Sequence, residues 1–507
     1  MRPNILLIMA DQLAAAALPC YGHPVVVAPH LSALAEQSAV FDNAYCNFPI
    51  CAPSRAVLHA GRLAHAMDCF DNASSFSPET PTLPHYLREL GYDATLCGKM
   101  HFVGPDQLHG YGRRLTTDIY PSNFAMCADW SGGREYRPTN LTMAPVIESG
   151  SCVRTMQMDF DDEVEYCALR EIHDLARRPQ QKPFFLTVSF TQPHSPFVIG
   201  EEYWQRYEGK EIPLPDAPDI PPEQRDILSR NLYYCHGRHL FTVTEEHIRR
   251  ARRGYFGMIS CIDDKVGNLL RALKDAKLAD NTAVIFTADH GEMLGERGMW
   301  YKQHFFDWSA RVPLLIRPPG KTPPRRIGEN VSLADLMPTV IDIAGGGCQM
   351  RAPIDGESFA ALLGGNGGGW RDTVIGEYSA DGSTGPSRMV RKGRWKFMDL
   401  EGEDRLLFDM EADPLEQNNL ADTDKTTADA LFVLARKGWD IDEVRARVIA
   451  SQRRRLYIHR ITGGVPEYVF ESRAGDNRRY VRGANVADTK ARARFPYVAP
   501  AKPDAEQ

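Results

Sequence analysis

The sequence predicts an α/β fold: a mostly parallel central sheet flanked by helices, with a smaller C-terminal α+β subdomain. Short apolar runs alternate with helical patterns through roughly the first 350 residues, as crossover connections between parallel strands require. At 507 residues the chain exceeds one ordinary core, so a large unit with an appendage is expected. Composition then changes after Tyr378.

The opening MRPNILLIMADQ reads as a buried strand over Ile5–Met9, since five apolar residues run without a charge. Further strands are expected over Asp93–Leu96, Phe184–Phe190, Ala283–Thr287 and Val312–Ile316. Helical spacing covers His30–Ser38, Leu83–Leu90, Asp161–Ala176 and Thr244–Lys274. Gly364–Gly369 reads as a peripheral connection. Beyond Tyr378, Met389–Arg391, Trp395–Met398 and Arg405–Phe408 are separated by turn residues and predict a small antiparallel sheet. A helical pair follows, over Thr426–Arg436 and Asp440–Tyr457. The expected division is therefore 1–378, 379–462 and a charged, proline-containing tail, 463–507. Tyr480, Phe495 and Tyr497 would dock that tail on a surface.

A formal charge of −7 spread over the chain offers no basic face for nucleic acid. Two arginine runs, 249–253 and 453–455, read as solvated helix turns. The five apolar residues of the opening strand are too few for a secretory core or a bilayer span. Eleven scattered cysteines, odd in number and without CxxC spacing, read as reduced thiols. A cytoplasmic protein away from membranes is the expectation, and the sequon at Asn140 is then irrelevant.

Chemistry collects at the strand ends. ILLIMADQ delivers Asp11 and Gln12, and ATLCGKMH delivers Lys99 and His101. FFLTVSFTQPH runs on to His194, and AVIFTADH into Asp289 and His290. In open α/β sheets the carboxyl edge is where ligands bind. One Asp after a strand is usually a cap or a turn; four such ends of complementary type indicate a site. Asp11, Gln12 and Asp289 offer oxygens to a hard divalent cation, and His290 adds a nitrogen that manganese tolerates better than calcium. Lys99, His101, His194 and Arg55 form a cationic set for an oxyanion, Lys99 and His101 pointing one way if that segment is extended. A metal beside such a cradle suits a sulfate or phosphate ester.

The stretch CAPSRAVLHAGR fits that site. Pro53 suits the first turn of a helix ending near Gly61, which sets Cys51 just ahead of an N-terminus that favours anions. Cys51-Ala52-Pro53-Ser54-Arg55 resembles the C-x-P-S-R signature of type I sulfatases, in the alkaline phosphatase superfamily. Asp11 and the late Asp289-His290-Gly291 strengthen the resemblance, which extends to Phe408-Asp409 and Asp413-Pro414. Within the family, CGKMHFVGPDQLHG, LTTDIYPSNF, MLGERGMWYK, SARVPLLI and GEYSADG are similar to choline sulfatases. So are Gln12 and His290, which stand where most arylsulfatases have Asp and Asn. Gly463–Ser472 departs from the pattern, which leaves the alcohol open.

The resemblance implies that a formylglycine-generating enzyme oxidises Cys51. Hydrated formylglycine is a geminal diol: one hydroxyl attacks sulfur, and loss of the other's proton expels sulfate. Asp11, Gln12, Asp289 and His290, with residue 51, would hold one divalent metal, calcium first, manganese or magnesium as alternates. Arg55 and Lys99 would neutralise charge, and His101 would orient the diol. Choline's alkoxide leaves poorly, so a general acid is needed, with His194 and Lys302 acting together. Trp130 is the first candidate for a quaternary ammonium face. Glu377 and Tyr497 come second, the latter supplied by a neighbouring copy in a homo-oligomer. The alternatives are a phosphonate monoester or phosphodiester hydrolase, a sulfatase for another alkyl or aryl sulfate, and a non-catalytic protein that kept the fold.

Overall fold

Asn4–Ala10 (β1) is buried along its whole length, which is why it reads as an unbroken apolar run: it is covered on both faces. The computed structural model describes residues 2–137, 141–177, 182–320, 323–462, 494–496 and 501–504. Around β1 stand Ala39–Tyr45 (β2), Asp93–Gly98 (β3), Arg113–Arg114 (β4) and Phe184–Ser189 (β5). Thr282–Ala288 (β6), Leu314–Arg317 (β7) and Arg325–Ser332 (β8) complete the sheet. The order is β8-β2-β7-β6-β1-β5-β3-β4. Strands β1, β3, β4, β5 and β6 run parallel, while β7 pairs antiparallel with both β6 and β2. The chain ends of β1, β3, β5 and β6 therefore open along one sheet edge.

Strands β2 and β8 lie outside the sequence expectation, because Asp42-Asn43 and Arg325-Arg326 with Glu329 break their apolar runs. The helices that matter for the site are Cys51–Ala60 (α1), Met156–Arg177 (α2), Glu245–Asp275 (α3) and Leu333–Ile343 (α4). Helix α1 closes on Gly61 at φ 61°, a left-handed cap that glycine takes without strain. Cys51 is its first residue, one step further in than the sequence suggested.

A second sheet joins Thr373–Tyr378 (β9), Ser387–Lys392 (β10), Trp395–Leu400 (β11) and Asp404–Asp409 (β12) in one antiparallel meander. Its first strand precedes the composition change at Tyr378. Lys425–Arg436 (α5) covers this sheet, Leu431 and Ala435 packing with Phe397 and Leu407. Ile441–Ile461 (α6) reaches back to the large unit, Val444 and Val448 clustering with Phe70 and Trp130. Near the end of the chain, Arg494–Phe495 pairs with Arg154–Thr155, and Asp504 accepts from Thr242 Oγ1 at 2.9 Å. Tyr480 and Tyr497 lie outside the described residues.

One arginine in each run departs from the solvated reading, Arg252 and Arg455, whereas Arg453 and Arg454 are exposed as expected. Arg252 is buried, 3.2 Å from Glu296. Arg250 and Arg253 hold the Ser149 and Trp204 carbonyls. Arg455 is likewise buried and grips Asp71 with both terminal nitrogens, at 2.6 and 2.9 Å. Guanidinium forks suit carboxylate and carbonyl clusters that must leave water.

Candidate active site

Four strand ends converge as their sequence implied. Asp11 follows β1, Asp289 and His290 follow β6, and Cys51 opens α1; all four are buried. One donor atom from each lies within 4.8 Å of the others. Cys51 Sγ is 3.2 Å from His290 Nε2 and 3.7 Å from Asp11 Oδ1. His290 Nδ1 lies 2.9 Å from the Gly291 carbonyl, which can only accept, so the proton sits on Nδ1 and Nε2 faces the cluster bare. Burial holds His290 at about 4. Gly291 itself is forced: a Cβ there would meet the Trp308 carbonyl oxygen at 2.0 Å.

Asp289 is the hub. Its Oδ1 accepts from the backbone N–H of Gln12 and of His290, both at 3.0 Å. Its Oδ2 accepts from Arg55 Nε at 2.8 Å, and its carbonyl from Ser54 Oγ at 2.5 Å. Arg55 also donates to the Lys99 carbonyl and Ser189 Oγ. Its remaining Nη2 is buried without a hydrogen-bond partner among the described residues, as are both ring nitrogens of His101. Such orphaned groups are expensive unless a ligand satisfies them, and an oxyanion would satisfy Arg55.

Lys99 pairs with Asp11 Oδ2. Burial opposes ionisation of Asp11, but Lys99, His194, Arg55 and His290 hold its carboxyl well below the ordinary carboxylate range. The segment carrying Lys99 is not extended, as the sequence reading supposed. Gly98 has φ 103° and His101 φ 56°, and a Cβ at Gly98 would strike the Ser189 carbonyl at 2.0 Å. The turn is held by Asp118, which accepts from the N–H of Met100 and His101 at 2.9 and 2.8 Å and from Arg114 at 2.7 Å.

On the other flank, Lys302 Nζ reaches Gln12 Oε1 and lies 2.7 Å from His194 Nε2. Lys302 is buried, so its side chain belongs to the site rather than to the surface. Glu292 sets this loop: its Oε1 accepts from the N–H of Leu294 and Tyr301, at 2.9 and 2.6 Å, and its other oxygen from Gln12 Nε2. Burial raises Glu292 to about 6. Sequence reasoning passed over Glu292 although it lies in the same DHGE stretch.

The chain belongs to the sulfatase family. The family model described as sulfatase matches residues 3–346, and one described as the C-terminal part of N-sulphoglucosamine sulphohydrolase matches 295–436. The choline-sulfatase of Rhizobium meliloti (strain 1021) is 39% identical over 500 residues, 96% of this chain and 97% of that protein. The phosphonate monoester hydrolase of Agrobacterium radiobacter superposes with a TM-score of 0.67 at 26% identity, covering 88% and 96% of the two chains. A structure solved with D-glucosamine-2-N,6-O-disulfate as its substrate gives 0.70 at 21% identity, over 87% and 100%.

This sulfatase is thus a sulfuric ester hydrolase, of a family that generally uses a metal ion and formylglycine. Among the described residues none of the eleven cysteines is in a disulfide, and no helix is long and apolar enough to cross a membrane. A second carboxylate–histidine group, His30, Asp263 and Asp264, is occupied: Asp263 caps the N–H of His30 and Leu31, and Asp264 pairs with Arg206.

The alcohol-side candidates fare differently. Trp130 packs with Phe70, Trp439, Val444 and Val448, and its Nε1–H donates to the Ala380 carbonyl at 3.3 Å. Glu377 is turned away: its carboxylate is taken by His65, at 2.7 Å, and Arg388, at 3.0 Å. His65 lies beyond the C-terminal end of α1, whereas Cys51 opens that helix. The carboxylate that does approach the site is Asp381, four residues on in GEYSADG. It accepts from Gln303 Nε2 at 3.4 Å, and its Oδ1 is buried without a hydrogen-bond partner among the described residues. Burial, then Asp71, raises it to about 7, opposed by Lys302.

Proposed function

We propose that this sulfatase hydrolyses choline sulfate. The observation that carries the reading is Asp381, a buried carboxylate with an unsatisfied oxygen, next in sequence to the carbonyl that fixes the Trp130 indole. A quaternary ammonium donates no hydrogen bond, yet it neutralises such an oxygen and rests on an aromatic face. The name and near-complete coverage of the Rhizobium meliloti relative support the same alcohol.

The donor set fits one divalent cation: carboxylates of Asp11 and Asp289, the bare nitrogen of His290 and residue 51, to which the Gln12 amide oxygen, here accepting from Lys302, would be added, with calcium first and manganese or magnesium as alternates. The metal would supply Lewis acidity toward a sulfate oxygen and the nucleophile. Formylglycine at position 51 would supply the nucleophilic hydroxyl and a second one whose deprotonation releases sulfate. Arg55 Nη2 and Lys99 meet negative charge on the sulfate oxygens. Proton delivery falls to Lys302: His194 has its Nδ1 2.7 Å from the Ser195 carbonyl, so Nδ1 keeps its proton there and Nε2 accepts from Lys302. The Lys302 proton passes to the choline oxygen as the S–O bond breaks.

The test is kcat/KM of metal-loaded enzyme on choline sulfate, 4-nitrophenyl sulfate and a phenyl phosphonate monoester. Choline sulfate should lead both others. A preference for the phosphonate would move the reading to the activity named for the Agrobacterium radiobacter protein, and a preference for the aryl sulfate would remove the cationic alcohol.

A further inference from the structure

Tyr120 touches three of the residues given chemical roles above, and no motif drew attention to it beyond the similarity of DIYPSNF. It is 2% exposed, in the loop after β4. Lys99 Nζ sits 3.8 Å from its ring centroid. The His101 ring stacks on it at 4.9 Å and 28°. Its hydroxyl lies 2.9 Å from His194 Nε2 and 3.1 Å from Nδ1. Two residues earlier Asp118 accepts from the Met100 and His101 N–H groups, so the loop that carries Tyr120 is tied to the segment it contacts.

The hydroxyl faces the edge of the His194 ring, nearer Nε2 than Nδ1. His194 Nδ1 is committed to the Ser195 carbonyl at 2.7 Å, which leaves one ring lone pair, on Nε2. Two donors converge there: Lys302 Nζ at 2.7 Å and the Tyr120 O–H at 2.9 Å. A lone pair shared with the phenol binds the ammonium less tightly, and a less tightly held Lys302 has an N–H to give to an ester oxygen.

We propose that Tyr120 is a positioning residue for leaving-group protonation: its hydroxyl shares His194 Nε2 with Lys302, while its ring face holds Lys99 and His101 against the sulfate. This rests on Lys302 and His194 serving the leaving group. The proton leaves Lys302 Nζ for the ester oxygen as the S–O bond breaks, and the resulting amine is reprotonated from solvent. Tyr120 neither gains nor loses a proton over the cycle.

Tyr120→Phe keeps the ring contacts and deletes the hydroxyl; Tyr120→Leu deletes both. The measurement is kcat/KM over aryl sulfates of graded leaving-group pKa together with choline sulfate, which leaves as a strongly basic alkoxide. For Tyr120→Phe the expected loss on choline sulfate is about tenfold, equivalent to about 1.4 kcal/mol. The loss on 4-nitrophenyl sulfate, which needs no proton on departure, should be several-fold smaller, so the leaving-group slope steepens. Tyr120→Leu should lose further on every substrate, because Lys99 and His101 lose their face. Equal losses of Tyr120→Phe across the series, or none on choline sulfate, would overturn the proposal even if Tyr120→Leu failed to fold. Lys302→Ala separates the layers. If it steepens the slope while Tyr120→Phe does not, only the role of Tyr120 falls. If it leaves the slope unchanged, the role of Lys302 falls as well.

Discussion

The two halves of this active site are built differently. The proposed sulfate half is made of strand ends: Asp11, Asp289 and His290, with Cys51 opening a helix, each placed by elements of the one central sheet and by α1. Asp289 alone takes up two backbone N–H groups and Arg55 there, and the atoms left without a partner among the described residues are nitrogens, Arg55 Nη2 and the two of His101. The proposed alcohol half is assembled from loops and the C-terminal helices: Trp130 lies against α6, and Asp381 follows β9. It keeps an unsatisfied carboxylate oxygen. One half is fixed by secondary structure and can be shared across a family. The other depends on which loops meet, and there one family can change its alcohol.

The largest expected effect lies in the sulfate half. Asp289→Asn preserves shape but removes the charge that pairs with Arg55 and that the proposed metal would use. Turnover of all sulfate esters should fall by about a hundredfold or more, the scale of losing one preorganised electrostatic partner. Metal content, measured by elemental analysis after dialysis, should fall with it. Full metal retention would place the cation elsewhere.

Asp381→Asn addresses the other half and should act selectively. Loss of the carboxylate should cost choline sulfate about 10- to 100-fold in kcat/KM, about 1.4–2.8 kcal/mol. The loss on 4-nitrophenyl sulfate should be clearly smaller, because it places no cation there. Trp130→Ala should shift the same ratio by about 3- to 30-fold, from a cation–π contact of about 0.5–2 kcal/mol. Equal losses on both substrates would erase the distinction between the halves.

The smallest effect on turnover, with a distinct pH signature, comes from Asp118. Burial opposes its ionisation, but Arg114, His101 and backbone N–H groups hold it at about 2. A depressed carboxylate contributes stability that is complete above its unfolded value near 4 and is lost as pH falls toward 2. Asp118→Asn should therefore cost on the order of 2 kcal/mol at neutral pH, from about 1.4 kcal/mol per pKa unit. The gap to the parent should narrow in denaturant melts as pH drops from 4 to 2. A constant gap would mean that Asp118 acts through packing alone.

The same contrast governs what the sequence shows. Asp11, Asp289, His290 and Cys51 are legible because a strand or helix end fixes each one locally. Strands β2 and β8 are not, since Asp42-Asn43 and Arg325-Arg326 interrupt the apolar runs that mark buried strands. Lys99 and His101 were found for the wrong geometric reason: Gly98 and His101 at positive φ, not an extended segment, bring them inward. Glu377 and Asp381 share one short stretch, and only the tertiary partners His65 and Arg388 show that the first is spent. Arg252 and Arg455 look like solvent residues because their acidic partners are 44 and 384 positions away.

The most direct test of the account is peptide mass spectrometry of the Cys51-containing segment from enzyme of measured specific activity. The account predicts that activity scales with the fraction of residue 51 carrying an aldehyde in place of the thiol, and that Cys51→Ser folds yet turns over negligibly. Fully active enzyme with an unmodified thiol at Cys51 would contradict it.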